Sequence, residues 1–203
     1  MASVVDICNL ALSHLGDEAT VVTIDPPEGS AQSEHCAIWY PMARDTCLEA
    51  HDWRFAMTRA TLVERDVDSW SWGFAYALPN NCLQIRAIAS PGAIDTDLSE
   101  QYLSEVTPDG VPVIYTGVES AVIRYKLRVE DPTRFSALFT DALSWLLASY
   151  LAGPVLKGDG GKAAAQAAYG VYLQRLNIAA ASDANQQFLD YQDEKLSSFI
   201  RGR

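Results

Sequence analysis

Ala121-Val122-Ile123-Arg124-Tyr125-Lys126-Leu127-Arg128-Val129-Glu130-Asp131-Pro132 is the stretch on which the fold turns. Up to Val129 the residues alternate. Ala121, Ile123, Tyr125, Leu127 and Val129 fall on one side, and Val122, Arg124, Lys126 and Arg128 on the other, which is the period of a half-buried strand. At Asp131-Pro132 the rule changes, because Asp is a good N-cap and Pro suits the first helical position. From there Phe135, Leu138, Phe139, Ala142, Leu143, Leu146, Leu147 and Tyr150 recur at helical spacing. A strand handing over to a helix, with more short alternating runs upstream, predicts an α+β chain.

Downstream, Gly153-Pro154 predicts the end of this helix. After Gly158-Asp159-Gly160-Gly161, a further helix is expected over about residues 162–181. Of its inner positions Ala165, Ala168, Tyr169, Tyr172, Leu176 and Ala179, half are small, which favours close helix approach. From Ser182 the continuous apolar face is lost. Yet Phe188, Leu189, Tyr191, Leu196, Phe199 and Ile200 put six large apolar residues into thirteen positions. Such residues usually mark a contact, so residues 183–203 are expected to form an extended arm that docks on a partner, with Phe188, Tyr191 and Phe199 as anchors.

Upstream, alternating runs at 53–62, 82–89 and 111–116 join 121–129 as strand candidates, separated by turns at Pro79-Asn80-Asn81, Ser90-Pro91-Gly92 and Pro108-Asp109-Gly110. Before residue 53 the helical period returns. Val4, Ile7, Cys8, Ala11, Leu12 and Leu15 share one helical face, Ser3 with Asp6 makes a capping box, and Gly16 supplies a left-handed stop. Asp25-Pro26-Pro27-Glu28-Gly29 forbids regular structure. A second helix, bent at Pro41, is expected from Ser30 to about His51, with Cys36, Trp39, Tyr40, Ala43, Cys47 and Ala50 on its apolar face. The expected architecture is thus an antiparallel bundle of four main helices (1–52 and 131–182) with a small β-rich domain, residues 53–130, inserted between the second and third helices.

The 203 residues are 49% apolar and carry a net charge of −11, which excludes a disordered chain and disfavours a phosphate-gripping nucleic-acid binder. The acidity is concentrated: residues 1–52 hold nine Asp/Glu against Arg44 alone. No apolar run approaches the ~20 residues of a membrane span, and no secretory signal is readable. Cys8, Cys36, Cys47 and Cys82 form no C-x-x-C pair and are read as reduced thiols of a cytoplasmic protein.

Candidate chemistry is sparse. The glycines before Lys162 miss the phosphate-loop pattern, which requires Gly at Leu156 and Ser or Thr at Ala163. Cys36 and Cys47 share a helix face with His35 and His51 nearby, but eleven residues span ~16 Å, too far for one ion. No G-x-S-x-G is present. No catalytic, cofactor-binding or metal-binding residue is assigned, and the chain is expected not to be an enzyme. Two charge features remain. Glu34, Asp45, Glu49 and Asp52 form an acidic stripe on the second helix, expected to face a channel or a neighbouring subunit. Arg124, Lys126 and Arg128 form a basic row with charges ~6.6 Å apart, a candidate for that neighbouring surface.

Segment order adds a family likeness. A first helix bearing Cys8-Asn9-Leu10-Ala11-Leu12 precedes a long helix ending Leu48-Glu49-Ala50-His51-Asp52-Trp53-Arg54-Phe55-Ala56. Then come Ala77-Leu78-Pro79-Asn80-Asn81-Cys82-Leu83, Ile123-Arg124-Tyr125, and the Asp131-Pro132 helix with Leu147-Ala148-Ser149-Tyr150-Leu151-Ala152. Over about residues 3–185 this resembles the tail tubular protein A family, the head-to-tail adaptors (connectors) of short-tailed bacteriophages. The resemblance implies a structural virion protein of the viral tail or neck, assembled in the host cytoplasm. It implies a dodecameric ring that binds the portal protein, carries a tail nozzle similar to tail tubular protein B, and lets double-stranded DNA pass during genome ejection without sequence-specific binding. It also implies a portal contact for the C-terminal segment, and no membrane contact. A head-completion or neck protein of another tailed-phage type is the alternative, followed by a small monomeric binding module or enzyme.

Overall fold

A computed structural model describes residues 2–18, 20–93 and 99–186. The chain is α+β: four helices, with two three-stranded antiparallel sheets inserted between the second and the third. Helix α1 (Val4–His14) starts at the expected capping box, in which Ser3 and Asp6 bond each other's backbone N–H. It stops where Gly16 takes φ +74°, a conformation that favours glycine. Helix α2 (Ala31–Glu49) is capped by Ser30 and runs unbroken through Pro41.

The Asp131-Pro132 signal has a different outcome from the one expected. Asp131 caps only a single 3-10 turn, Pro132–Arg134, and α3 (Ala137–Leu156) begins one turn later behind its own N-cap, Ser136. Nor does Gly153-Pro154 end α3. A proline in the last turn removes one N–H, and Lys157 N–H still closes on the Gly153 carbonyl at 3.0 Å. The helix stops at Lys157, which takes φ +57°.

Helix α4 (Gly158–Ala184) starts at the glycine cluster itself, so those glycines are its first turn and not a loop. Gly161 explains the composition: a Cβ there would lie 2.9 Å from the Ala152 carbonyl oxygen, so α3 and α4 pack backbone to backbone. Along α4, Gly161, Ala168, Tyr172, Ala179 and Asp183 are buried, whereas Tyr169, expected inside, is exposed. Asp183 and Ala184 are helical, so the arm expected to begin at 183 cannot start there. Its anchors Phe188, Tyr191 and Phe199 lie outside the described residues.

The insertion has two layers. One sheet, in the order β1-β6-β3, comprises β1 (Met57–Thr61), β3 (Cys82–Ala89) and β6 (Val122–Leu127). The other, β2-β5-β4, comprises β2 (Phe74–Ala77), β4 (Tyr102–Val106) and β5 (Pro112–Thr116). Strands β2 and β4 were not expected. Ile88, Ile123 and Tyr125 from the first sheet pack on Tyr76 and Ile114 from the second, giving an apolar seam between the sheets. A separate and larger core fills the bundle and includes Trp53, Val129 and Phe139.

Candidate functional site

The opposite face of the first sheet meets the bundle, and that joint is ionic. The last carbonyls of a helix have no partner within it and carry partial negative charge, so a cation there is favourable. Lys126, next to the last residue of β6, is only 1% exposed; its Nζ donates to the Glu49 carbonyl at 2.8 Å and lies 3.3 Å from Asp52 Oδ1. Burial pulls the Lys126 ammonium below its ordinary pKa, and the hydrogen bond to Asp52 opposes that shift.

Arg86 donates to the other oxygen of Asp52. It reaches there because β3 carries an extra residue against β6: Ile85 pairs with Tyr125 and Ala87 with Arg124, leaving Arg86 between them. A bulge of this kind re-aims a side chain. One turn up α2, Asp45 is held from two sides, by Arg44 Nε at 2.8 Å and Arg128 Nε at 3.0 Å.

The other end of the joint closes on α4. Asp183, buried, accepts the Arg54 backbone N–H at 3.2 and 3.3 Å, and His51 Nε2 stands 3.3 Å from its Oδ2. Arg54 Nε donates back to the Asp183 carbonyl at 3.3 Å. Trp53 is buried between them; its indole N–H donates to the Cys47 carbonyl at 2.8 Å, and His51, Phe55 and Phe139 pack against its ring. Arg124 lines a polar recess of about 370 Å³ with His51, Asp52, Arg54 and Asp183.

This arrangement corrects the reading of both charge features. Lys126 and Arg128 of the basic row meet Asp52 and Asp45 of the acidic stripe within one chain, so those cations are not held out to a neighbouring subunit. The charged faces of α2 and β6 meet each other at these pairs. Glu34 and Glu49 are exposed, and Arg124 is half-buried at the recess. Arg86 and Asp183 were not singled out in the sequence. Their only signals were an arginine inside the 82–89 run and a lone acid at the end of α4.

One further constellation has catalytic-looking spacing. His14 Nε2 lies 3.0 Å from Ser144 Oγ, and the imidazole stacks on Trp145 at 3.8 Å. Ser144 is wholly buried and donates its own hydroxyl hydrogen to the Asp141 carbonyl at 2.8 Å. Its oxygen is therefore an acceptor for His14, out of reach of a substrate, and the pair ties α1 to α3. Two of the thiols are held protonated: burial pushes Cys47 well above its usual range and Cys82 up to about 11. Among the described residues no three His, Cys, Asp or Glu side chains converge as metal ligands, and no helix is long and apolar enough to cross a membrane.

Neither a protein-family model nor a curated protein sequence matches this chain.

Proposed function

We propose that this chain is a head-to-tail adaptor of a short-tailed bacteriophage: a structural virion protein that forms a ring, dodecameric by the resemblance, between the portal protein and the tail nozzle. The observation that carries the reading is where the resemblance falls. The longest quoted segment, Leu48-Glu49-Ala50-His51-Asp52-Trp53-Arg54-Phe55-Ala56, supplies Asp52, His51, Trp53 and Arg54 to the joint that fastens the β insertion to the bundle. A protein whose task is architecture has reason to spend these residues on such a joint.

The charge distribution fits the same task. Double-stranded DNA must slide through the ring without adhering, and a chain of net charge −11 whose cations Lys126, Arg128 and Arg86 already face carboxylates offers phosphates little. Phe188, Tyr191 and Phe199 are the proposed portal anchors. The test is negative-stain imaging and mass photometry of the purified chain, alone and mixed with a portal protein. Rings that seat coaxially on the portal are expected. A chain that stays monomeric and leaves the portal bare sinks the reading.

A further inference from the structure

On the outer side of the bundle, the N-terminal turn of α1, the middle of α2 and the segment around Ile24 enclose an open groove of about 620 Å³. Val4, Ile24, Ala37 and Pro41 give it an apolar lining, and Asp25 and Glu130 stand at it as carboxylates, Glu130 with 73% of its side chain exposed. Arg44 also reaches the groove, but its guanidinium is spent on Asp45 at 2.8 Å and lies 3.8 Å from Glu130. The groove is therefore apolar inside and acidic outside. In its wall, Tyr40 is 3% exposed and its hydroxyl is buried with no hydrogen-bond partner among the described residues.

The sequence holds one segment with the complementary character. Lys195-Leu196-Ser197-Ser198-Phe199-Ile200-Arg201-Gly202-Arg203 carries three of the chain's fifteen cations, no acid, and three large apolar residues. It can also reach. Asp183, at the end of α4, is pinned to His51 and Arg54 just beyond the end of α2, and Tyr40 lies eleven residues back from His51, ~16 Å along a helix. Residues 187–194, fully extended, span at most ~26–29 Å, which exceeds that distance. Tethering at that distance makes the encounter intramolecular, which raises the effective concentration of the segment far above that of another copy.

We propose that the groove between α1 and α2 is the docking site for residues 195–203 of the same chain, with Phe199 and Ile200 on the apolar lining and Lys195, Arg201 and Arg203 toward Asp25 and Glu130. This inference needs no portal and stands apart from the adaptor reading. Within that reading it adds an order of events: the segment covers its own groove in the free chain, and the portal must draw Phe199 away, uncovering Val4, Ala37 and Pro41.

Carbodiimide coupling, which joins a carboxylate to a nearby amine as an amide, tests it on the full-length chain. An equal mixture of unlabelled and ¹⁵N-labelled protein is coupled, digested and read by mass spectrometry, with the exposed pair Lys162 and Asp159, 3.3 Å apart, as the internal control. The expected result is Lys195 joined to Glu130 or Asp25 within one isotopic population, reduced at least tenfold by Ile200→Asp and by Ala37→Arg. Ile200→Asp alters no residue of the bundle, so it keeps the test valid where Ala37→Arg fails to fold. Links of which about half join a labelled to an unlabelled chain, the share that random pairing of two copies gives, assign the groove to the segment of another copy and overturn the proposal. Coupling of Lys162 to Asp159 with no link from Lys195 to the groove, or a link that survives Ile200→Asp, overturns it as well.

Discussion

Lys126 Nζ sits 2.8 Å from the carbonyl oxygen of Glu49, so a strand of the insertion supplies the cation that closes the C-terminus of α2. Lys126→Met keeps most of the buried stem but leaves the Glu49 carbonyl and Asp52 short of a donor, at an expected cost of about 2 kcal/mol. Lys126→Ala also removes packing and should cost about 3–4 kcal/mol. Adding Asp52→Asn to Lys126→Met should recover little, because Arg86 still holds the other oxygen of Asp52. Urea titrations of the parent, Lys126→Met, Asp52→Asn and the double variant check this as a double-mutant cycle. Equal stability of Lys126→Met and the parent would show that the joint does not depend on the ammonium.

The His14 contact predicts a pH dependence. Burial lowers its pKa below the ordinary 6.5, with Asp141 opposing the shift and Arg175 adding to it. Above pH 6.5 both folded and unfolded chains carry the neutral ring, and its contribution to stability is intact. As pH falls from 6.5 through the folded pKa, the unfolded chain takes up the proton more readily, and stability is lost. The carboxylates with lowered pKa values, Asp6, Glu28 and Asp131, act only further down, from about their ordinary 3.8–4.5. The melting-temperature advantage of the parent over His14→Gln should therefore shrink between pH 7 and pH 5. A constant advantage across that range would remove His14 from the account.

Two glycines of one turn should respond oppositely to alanine. Gly161→Ala places a Cβ 2.9 Å from the Ala152 carbonyl oxygen, which belongs to backbone and cannot swing away. The expected cost is about 1–3 kcal/mol, from forcing α3 and α4 apart. Gly160→Ala meets nothing within 4 Å and should stabilise α4 by about 0.5 kcal/mol through helix propensity. Thermal melts of the two variants give the comparison.

The position of Asp183 sets where a truncation can be made. The N–H groups of Asn185 and Gln186 still close the last turn of α4, on Ala181 and Asp183. A chain ending at Gln186 should therefore still fold cooperatively yet lose binding to the portal protein in a pull-down or by interferometry. Retention of full affinity would dismiss Phe188, Tyr191 and Phe199 as portal anchors.

Periodicity in the sequence revealed the helices and the strands it could reach, and missed elements where burial is two-sided or absent. Strand β2 reads Phe74-Ala75-Tyr76-Ala77 and does not alternate, because Tyr76 enters the seam between the sheets while Ala75 faces Val67 and Trp72. Strand β4 is an edge strand with Leu103, Ser104, Glu105 and Val106 all exposed, so it too lacks a pattern. The glycine cluster before Lys162 was read as a loop because propensity disfavours glycine in helices. What overrides propensity is the backbone contact at Gly161, a tertiary fact. The joint was half legible: the acidic stripe and the basic row were each visible, but that they face one another depends on how β6 is laid against α2, and no local pattern carries that. Arg86 was least legible, since the bulge that aims it arises only once β3 is paired with β6.

Trp53 and Val129, the bundle residues on either side of the insertion, are buried in the same core, and the strands that follow and precede them, β1 and β6, are antiparallel partners with Met57 opposite Lys126. To the bundle, the whole insertion is thus one hairpin with an elaborate tip. The entropy of joining α2 to α3 is set where β1 first meets β6, and the cost of closing a loop grows only logarithmically with its length. Apart from β3, whose Arg86 holds Asp52 and whose Leu83 packs on the bundle core, sequence beyond Thr61 and before Val122 is therefore free to lengthen, shorten or be exchanged between lineages while the helices keep their register, which makes this tip the natural place for such proteins to diverge.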